Sequence, residues 1–429
     1  MTSAILLGVF LVLMLARVPV SVSIGVAVVV ALVVGDFPLS VLPRLMVEGV
    51  DSFALLAVPF FVLAGNLMNT AGMTVRIFDF ARAVFGPVRG SLAQVNVAAS
   101  MIFAGMSGAA LADLGGMGQV QVRAMRENGY PARIAAGVTL ASCTVGPIIP
   151  PSIVLIIYGL ATDVSVGRLF LAGILPGILI GATLMVFIYF WVLLRRTSWG
   201  QPEPFRPSEV WRTLKAGGLA LALPFLVIAA LLTGTSTPTE VGALAAAYAL
   251  VVGLVHRELT FAGLWRCLVD SVTTTAVIMF LIAVSVAMGW IITIERIPHE
   301  AATFISTYVS DPIVGILLIN LFLLVIGMFL ETAPAILILS PILLPVAMEM
   351  GIDPVHFGVI VCFNLVIGII TPPMGIGLFV TARVAGISPE EVLRGTLPFL
   401  VPLILSLVTI SLLPGLSTFI PDLVFGPSR

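Results

Sequence analysis

The sequence predicts an all-α, polytopic membrane protein built as an inverted repeat, with two re-entrant hairpins and two broken helices. Three observations predict it. The 429 residues are 60% hydrophobic and only 10% charged, against roughly 25% charged in ordinary globular chains. Two long apolar runs are each interrupted by Gly and a Pro-Pro pair, at 142–152 and at 364–375. Proline removes a backbone donor and clashes with the preceding turn, so neither run continues as one helix. Finally, one constant interval separates Pro150-Pro151 from Pro372-Pro373, Gly146 from Gly368, Gly173 from Gly395, Pro176 from Pro398, and Gly105-Met106 from Gly327-Met328.

Composition sets the frame. A mean hydropathy of +1.20 excludes a soluble protein, and several runs reach the ~20 residues that cross a bilayer as helix. The net charge of −1 and the absence of a basic cluster give no sign of a nucleic-acid partner. Cys143, Cys267 and Cys362 lie in or beside apolar runs without CxxC spacing, so they read as small core residues. The first apolar run continues into a second without an A-x-A-like site, so it reads as a retained helix rather than a removed signal.

In chain order, 3–16 and 18–35 read as two helices separated at Pro19, which suits a first helical turn. Residues 36–51 form a loop with room for an amphipathic piece, and 52–69 a third span. Residues 74–89 mix Arg76, Asp79, Arg82 and Arg89 with Phe78, Phe80 and Phe85, the pattern of an interfacial helix. The run 91–122, broken by Gly105-Met106-Ser107-Gly108 and by Gly115-Gly116, reads as the first hairpin. The first broken helix follows at about 134–160, then a span at 169–194. Residues 195–215 carry five basic and two acidic residues, which places them in the cytoplasm. Spans follow at 217–233, 239–256 and 268–294. The run 312–348, interrupted at 327–334, is the second hairpin. The second broken helix spans about 356–382, and a last segment 396–424. Counting from the cytoplasmic anchor, Arg123–Arg133, His256 to Arg266 and Arg383 fall inside, and the N-terminus outside. The first hairpin is followed by arginines and the second by Glu349 and Asp353, so the halves have opposite orientation. The chain divides into scaffold helices with an interfacial helix (1–89), a first transport repeat (90–195), a cytoplasmic loop with scaffold helices (196–311) and a second transport repeat (312–429).

The chemistry is expected at the interruptions. Irregular backbone at membrane depth is tolerated where it lines a cavity, and paired broken helices point to a transporter's binding site. Half-helix N-termini favour an anion, and unwound carbonyls favour Na⁺. In the first half the candidate Na⁺ ligands are Ser107, Gly108, Ser142, Thr144 and Gly146. In the second they are Gly327, Thr332, Asn364, Gly368 and Thr371. Ser107, Ser152 and Glu331 are the candidate substrate contacts. An acid within the membrane is a functional hypothesis by default, which singles out Glu331 and Asp113; Asp113 reads equally as a hairpin-arm cap. Glu240 suits a first helical turn, and Asn66 and Asn96 suit interhelical hydrogen bonds. No organic cofactor is indicated.

Two alternatives stay open at this point: a standalone ion-coupled dicarboxylate carrier, and an intramembrane serine hydrolase. The second rests on Gly105-Met106-Ser107-Gly108, which matches the G-x-S-G of rhomboid-type proteases. It lacks a His at matching depth, since His256 and His356 sit at helix ends and His299 in a loop.

The stretches 105–113 (GMSGAALAD), 146–152 (GPIIPPS), 238–248 (PTEVGALAAAY), 327–345 (GMFLETAPAILILSPILLP) and 364–375 (NLVIGIITPPMG) resemble the large membrane subunit of tripartite ATP-independent periplasmic (TRAP) transporters, the DctM-like proteins, over essentially the whole chain. The resemblance implies a multi-pass subunit in the bacterial inner membrane rather than an enzyme. It implies a Na⁺-coupled importer of an organic acid, such as a C4-dicarboxylate or a sialic acid. It also implies a small four-helix DctQ-like membrane subunit, a DctP-like periplasmic solute-binding protein, and an elevator motion of hairpins and broken helices against a scaffold. On this resemblance, Na⁺ lies between each hairpin tip and its neighbouring break, and Ser107, Ser152 and Glu331 face the substrate. Position 331 is more typically Asp in such proteins, so Glu331 is one methylene longer.

Overall fold

A computed structural model describes residues 2–16, 18–195, 197, 199–234, 236–297, 311–372 and 375–427. Arg17, His299, Pro373 and Met374, which enter the sequence reading, lie outside the described residues, as does most of the 295–311 loop. The described residues are helical, without strand. Seven helices among them are long and apolar enough to cross a membrane.

The N-terminal part comprises α1 (Thr2–Leu15), α2 (Val20–Val34), α3 (Val41–Val50), α4 (Ala57–Thr70) and α5 (Met73–Phe85). α3 is the amphipathic piece expected in the first loop. The first repeat holds α6 (Ser91–Ser107), α7 (Ala110–Gly115), α8 (Met117–Glu127), α9 (Ala132–Ser142), α10 (Ile153–Thr162) and α11 (Val166–Arg195). Three long helices follow: α12 (Pro207–Leu232), α13 (Pro238–Val255) and α14 (Phe261–Ile294). The second repeat holds α15 (Pro312–Gly327), α16 (Thr332–Glu349), α17 (Pro354–Gly368), α18 (Ile376–Ala385) and α19 (Pro389–Leu412), and α20 (Gly415–Phe425) ends the described chain.

The repeat is visible in the element starts. α9 begins at Ala132 and α17 at Pro354, the same interval that separates the two Pro-Pro pairs. α10 begins at Ile153 and α18 at Ile376, and α11 at Val166 and α19 at Pro389, an interval longer by a single position in each case. Caps explain why the second-half helices start where they do. Asp311, Asp353 and Ser388 each precede a proline at the first helical position, and each accepts a backbone N–H of the first turn. Thr237 and Glu240 form a full capping box on α13, so Glu240 has the first-turn role expected of it.

Three boundaries differ from the sequence reading. α14 begins at Phe261 rather than 268, where Thr260 caps it by accepting Gly263 N–H. α12 begins at Pro207 rather than 217, because Pro207 sits in the first turn and Arg212 pairs with Glu209 one turn away, so polar residues extend the helix beyond the apolar run. The last segment is two helices, split at Leu413-Pro414, where proline closes α19. The rest of the 195–215 loop is strapped to the α5–α6 corner. Arg82 forks onto Glu203 at 2.9–3.1 Å, Gly90 N–H donates to Gly200, and Trp199 packs on Tyr130 and Trp191.

Apolar burial does little to associate helices in lipid, so close packing and interhelical hydrogen bonds must hold them. Both are present. Gly173 on α11 faces the Ile148 carbonyl, and its repeat counterpart Gly395 on α19 faces the Arg133 carbonyl and Gly137 of α9. Asn66 Nδ2 donates to Ser271 at 2.9 Å, tying α4 to α14. Asn96 Nδ2 donates to Thr139 at 2.7 Å, tying α6 to α9.

Candidate functional site

Both hairpin tips and both breaks converge. α6 ends at Ser107, and Gly108 turns the chain with φ +63°, a conformation that favours glycine. Ile153 N–H, at the start of α10, donates to the Gly108 carbonyl at 3.4 Å. A Cβ at Gly108 would lie 2.5 Å from the Pro151 carbonyl oxygen, so the first tip sits directly on the first break. In the second half, a Cβ on Gly368 would lie 2.5 Å from the Gly327 Cα and carbonyl carbon. The second hairpin meets the second break backbone to backbone. Both interruptions therefore stand where close approach needs glycine.

Between these parts and the scaffold is a cavity of about 330 Å³. Gly108 to Leu111 and Glu331 to Ala333 form its tip walls. Pro147, Ile153, Val154 and Ile157 come from the first broken helix, Val366 and Ile369 from the second. Val62, Gly65, Asn66 and Asn69 of α4, with Thr274 and Ile278 of α14, close the scaffold side. α10 and α16 both begin at this cavity. In α10 the Ile153 and Leu155 N–H groups are taken up by the Gly108 carbonyl and Ser152 Oγ, which leaves the Val154 N–H of the first turn. In α16 those of Thr332 and Ala333 precede the first intrahelical bond, from Ala335 to Glu331. Among the described lining residues, Glu331 is the charged one. It is the N-cap residue of α16 and is exposed, with no side-chain cap bond.

The sequence-predicted residues divide into two groups. Gly108, Glu331 and Thr332 line the cavity. Ser107 closes α6, and its side chain lies outside the described set. The others sit behind the wall. Ser152 is fully buried as the N-cap of α10; its hydroxyl donates to the Pro147 carbonyl and accepts from Leu155 N–H. It bridges the break and does not line the cavity. Ser142 Oγ donates to Asn96 Oδ1 at 2.7 Å, and Thr144 Oγ1 to the Ala141 carbonyl at 2.7 Å. Asn364 Nδ2 donates to Asn320 Oδ1 at 2.8 Å, and Thr371 Oγ1 to the Ile367 carbonyl at 2.7 Å. Gly146 stands beside buried Asp113, whose Oδ2 is 2.5 Å from where a Cβ would project. Gly327 and Gly368 form the backbone contact already described.

Ser142 and Asn364 are repeat counterparts, separated by the same interval as the Pro-Pro pairs. Each bonds an asparagine on the incoming arm of its own hairpin. The two halves thus use one hydrogen-bonded latch twice. Sequence reasoning missed Asn320 here, and Asn69 and Thr274 at the cavity. The available signal was a polar residue inside an apolar span. The hydrolase alternative gains nothing: His256 lies at the C-cap of α13, its Nδ1 2.8 Å from the Val252 carbonyl, and His356 is in the first turn of α17.

Residues 7–416 match the family described as the DctM component of tripartite ATP-independent periplasmic transporters. The chain is 43% identical over 416 residues to the sialic acid TRAP transporter large permease protein SiaM of Vibrio cholerae, covering 96% of this chain and 97% of that one. It is 40% identical over 380 residues to the sialic acid TRAP transporter permease protein SiaT of Haemophilus influenzae, covering 88% of this chain and 61% of that one. The YdaH transporter of Alcanivorax borkumensis superposes with a TM-score of 0.61 over 87% of both chains at 15% identity, a likeness of fold. The paired hairpins, the paired breaks and these matches agree: the chain belongs to the DctM family and is the large membrane subunit of a TRAP transporter.

Proposed function

We propose that this subunit imports an organic acid, a carboxylate such as a C4-dicarboxylate, a sialic acid or a related acid, coupled to Na⁺. A DctP-like binding protein delivers the acid on the periplasmic side, and a DctQ-like four-helix subunit completes the complex. The chain sits in the bacterial inner membrane with its N-terminus periplasmic. The observation that carries the reading is the cavity on which both hairpin tips, both breaks and two helix starts converge.

The donors present suit a small hard cation. Asn364 Oδ1 is buried and has no hydrogen-bond partner among the described residues, in the turn before the second break. Asn364, Gly327, Gly368, Thr332 and Thr371 would hold one ion. Ser107, Gly108, Ser142, Thr144 and Gly146 would hold another; the Ser142 and Thr144 hydroxyls direct their protons at protein acceptors, and although Ser142 Oγ also accepts from Ser100 at 3.1 Å, one of its lone pairs and those of Thr144 Oγ1 remain for a cation. Bound Na⁺ supplies positive charge behind the two tips, and its gradient supplies the driving force. The chain's own groups do the rest. The starts of α10 and α16 orient the carboxylate, Glu331 and Thr332 meet the remainder of the substrate, and α4 and α14 form the fixed wall. Hairpins and broken helices then move together against that wall as an elevator.

The test is uptake of labelled organic acids into proteoliposomes, with and without a Na⁺ gradient and with and without the two partner proteins. Na⁺-driven uptake that needs all three proteins supports the reading. Robust uptake by this chain alone would make it a standalone carrier.

A further inference from the structure

We propose that a pocket at the cytoplasmic end of α11 binds the phosphate of one anionic phospholipid, whose acyl chains lie along an exposed apolar stripe of the same helix. The site rests on the orientation that the positive-inside rule gives and is independent of the substrate cavity.

Its head is a cavity of about 210 Å³ between the end of α11, the loop after it and the α5–α6 corner. Arg89, Thr197, Gly200 and Gln201 supply the polar lining, and no described lining residue is acidic. Arg82, Arg168 and Arg212 each pair with a carboxylate. Arg89 is exposed and has no ion-pair partner among the described residues. A guanidinium forks onto phosphate oxygens. Arg195, two residues before Thr197, adds a second positive charge and is held 5.3 Å from the centroid of the Trp191 ring.

The protein shapes this pocket in advance. Thr197 Oγ1 donates to the Trp199 carbonyl at 2.8 Å, and Gln201 Nε2 to the Thr197 carbonyl at 3.0 Å. The second amide hydrogen of Gln201 remains for a ligand. Behind them Gly90 N–H donates to the Gly200 carbonyl at 2.9 Å, and the Tyr130 hydroxyl to the Gly90 carbonyl at 2.7 Å. A loop fixed at this many points presents its donors with little further ordering cost.

The stripe on α11 says what fills the pocket. Val186, Tyr189 and Phe190 are exposed. With Leu193, which lines the pocket, they share one helical face. That face leads from the bilayer interior into the pocket. A phospholipid has this form, apolar chains joined to a phosphate, whereas a soluble phosphate would leave the stripe unused. Anionic lipids enrich the cytoplasmic leaflet, and basic pockets beside spans on that side bind their headgroups. Bound there, the lipid joins α11 to the Arg89 corner and braces the 195–215 loop.

The experiment is native mass spectrometry and thermal unfolding of the full chain in detergent. The additives are phosphatidylglycerol, phosphatidylcholine and glycerol 1-phosphate. The proteins are wild type, Arg89→Gln and Arg383→Gln, the last an exposed arginine outside the pocket and cytoplasmic by the same rule. The wild type should retain one phosphatidylglycerol about tenfold more tightly than phosphatidylcholine, and should unfold at a higher temperature with it. Arg89→Gln should lose both the preference and the thermal shift while matching wild type in phosphatidylcholine. Arg383→Gln should keep both. Equal retention of the two lipids by the wild type, or an equal loss in the two variants, overturns the site. Protection by glycerol 1-phosphate as strong as that by phosphatidylglycerol overturns the lipid as its occupant.

Discussion

Gly368 rests so closely on Gly327 that a methyl group on Gly368 would lie 2.5 Å from the Gly327 carbonyl carbon. The second hairpin and the second broken helix are one packed body because neither residue has a side chain. Gly368→Ala must push the two backbones apart, which costs about 1–3 kcal/mol. Thermal unfolding in detergent should show the loss. Gly289→Ala is the control, since nothing lies within 4 Å of that position. It should leave stability unchanged or raise it by up to ~1 kcal/mol through helix propensity.

The asparagine latch predicts a second effect. Asn320 receives Asn364 Nδ2 at 2.8 Å and donates to Ser411 at 2.9 Å. Asn320→Ala removes both side-chain bonds and leaves Asn364 Nδ2 the residue-320 backbone carbonyl and Ser411 its Leu407 acceptor, so it should cost about 1 kcal/mol. Asn320→Asp keeps the acceptor for Asn364 but loses the donor to Ser411. Thermal unfolding should rank wild type above Asn320→Ala, and equal stability would contradict the latch.

Na⁺ dependence separates packing from ion binding. Asn364→Ala removes the buried acceptor beside the second break. Ser107→Ala combined with Thr144→Ala removes two hydroxyls from the first site. Each variant should raise the Na⁺ concentration for half-maximal uptake, by roughly tenfold for a lost ion–oxygen contact of about 1.4 kcal/mol. Unchanged Na⁺ titrations in folded variants would sink the assignment of ligands.

At the other end of the fold, Arg168 holds the last helix. Its Nη2 donates to the Gly426 carbonyl at 2.8 Å and the Phe425 carbonyl at 3.2 Å, and its Nη1 lies 3.5 Å from Asp422. Arg168→Ala should cost only about 1 kcal/mol, because the pair is partly exposed. It should nevertheless release α20, which faster maleimide labelling of Ser417→Cys, a buried position on that helix, in the Arg168→Ala background would report.

The architecture was legible because membrane proteins write it in a few residue types. Pro-Pro and Gly mark broken backbone, and the constant offset from Gly105 to Gly327 and from Pro150 to Pro372 reveals the duplication. The function of individual polar residues was less legible. Ser152 reads as a substrate contact from its place after Pro151, yet its hydroxyl bridges Pro147 and Leu155. Ser142 and Asn364 read as ion ligands, and they also latch the hairpins. Spacing along a chain does not say which way a hydroxyl turns at a break. Asn69 and Thr274 come from helices remote in sequence, and only folding brings them to the cavity. The start of α12 was missed because a proline in the first turn and an Arg–Glu pair extend a helix that hydropathy ends early.

The central claim is that the hairpins and breaks carry the cavity past a fixed wall, and one contact tests it directly. Asn69 of the scaffold lies against Gly116 of the first hairpin, its Oδ1 2.7 Å from where a Cβ would project. Asn69→Cys and Gly116→Cys are introduced together, with Cys143, Cys267 and Cys362 replaced. Uptake by the reconstituted complex is then followed through oxidation and reduction. The account predicts that the cross-link stops transport, that reduction restores it, and that neither single cysteine responds. Full-rate uptake by the cross-linked complex would contradict it.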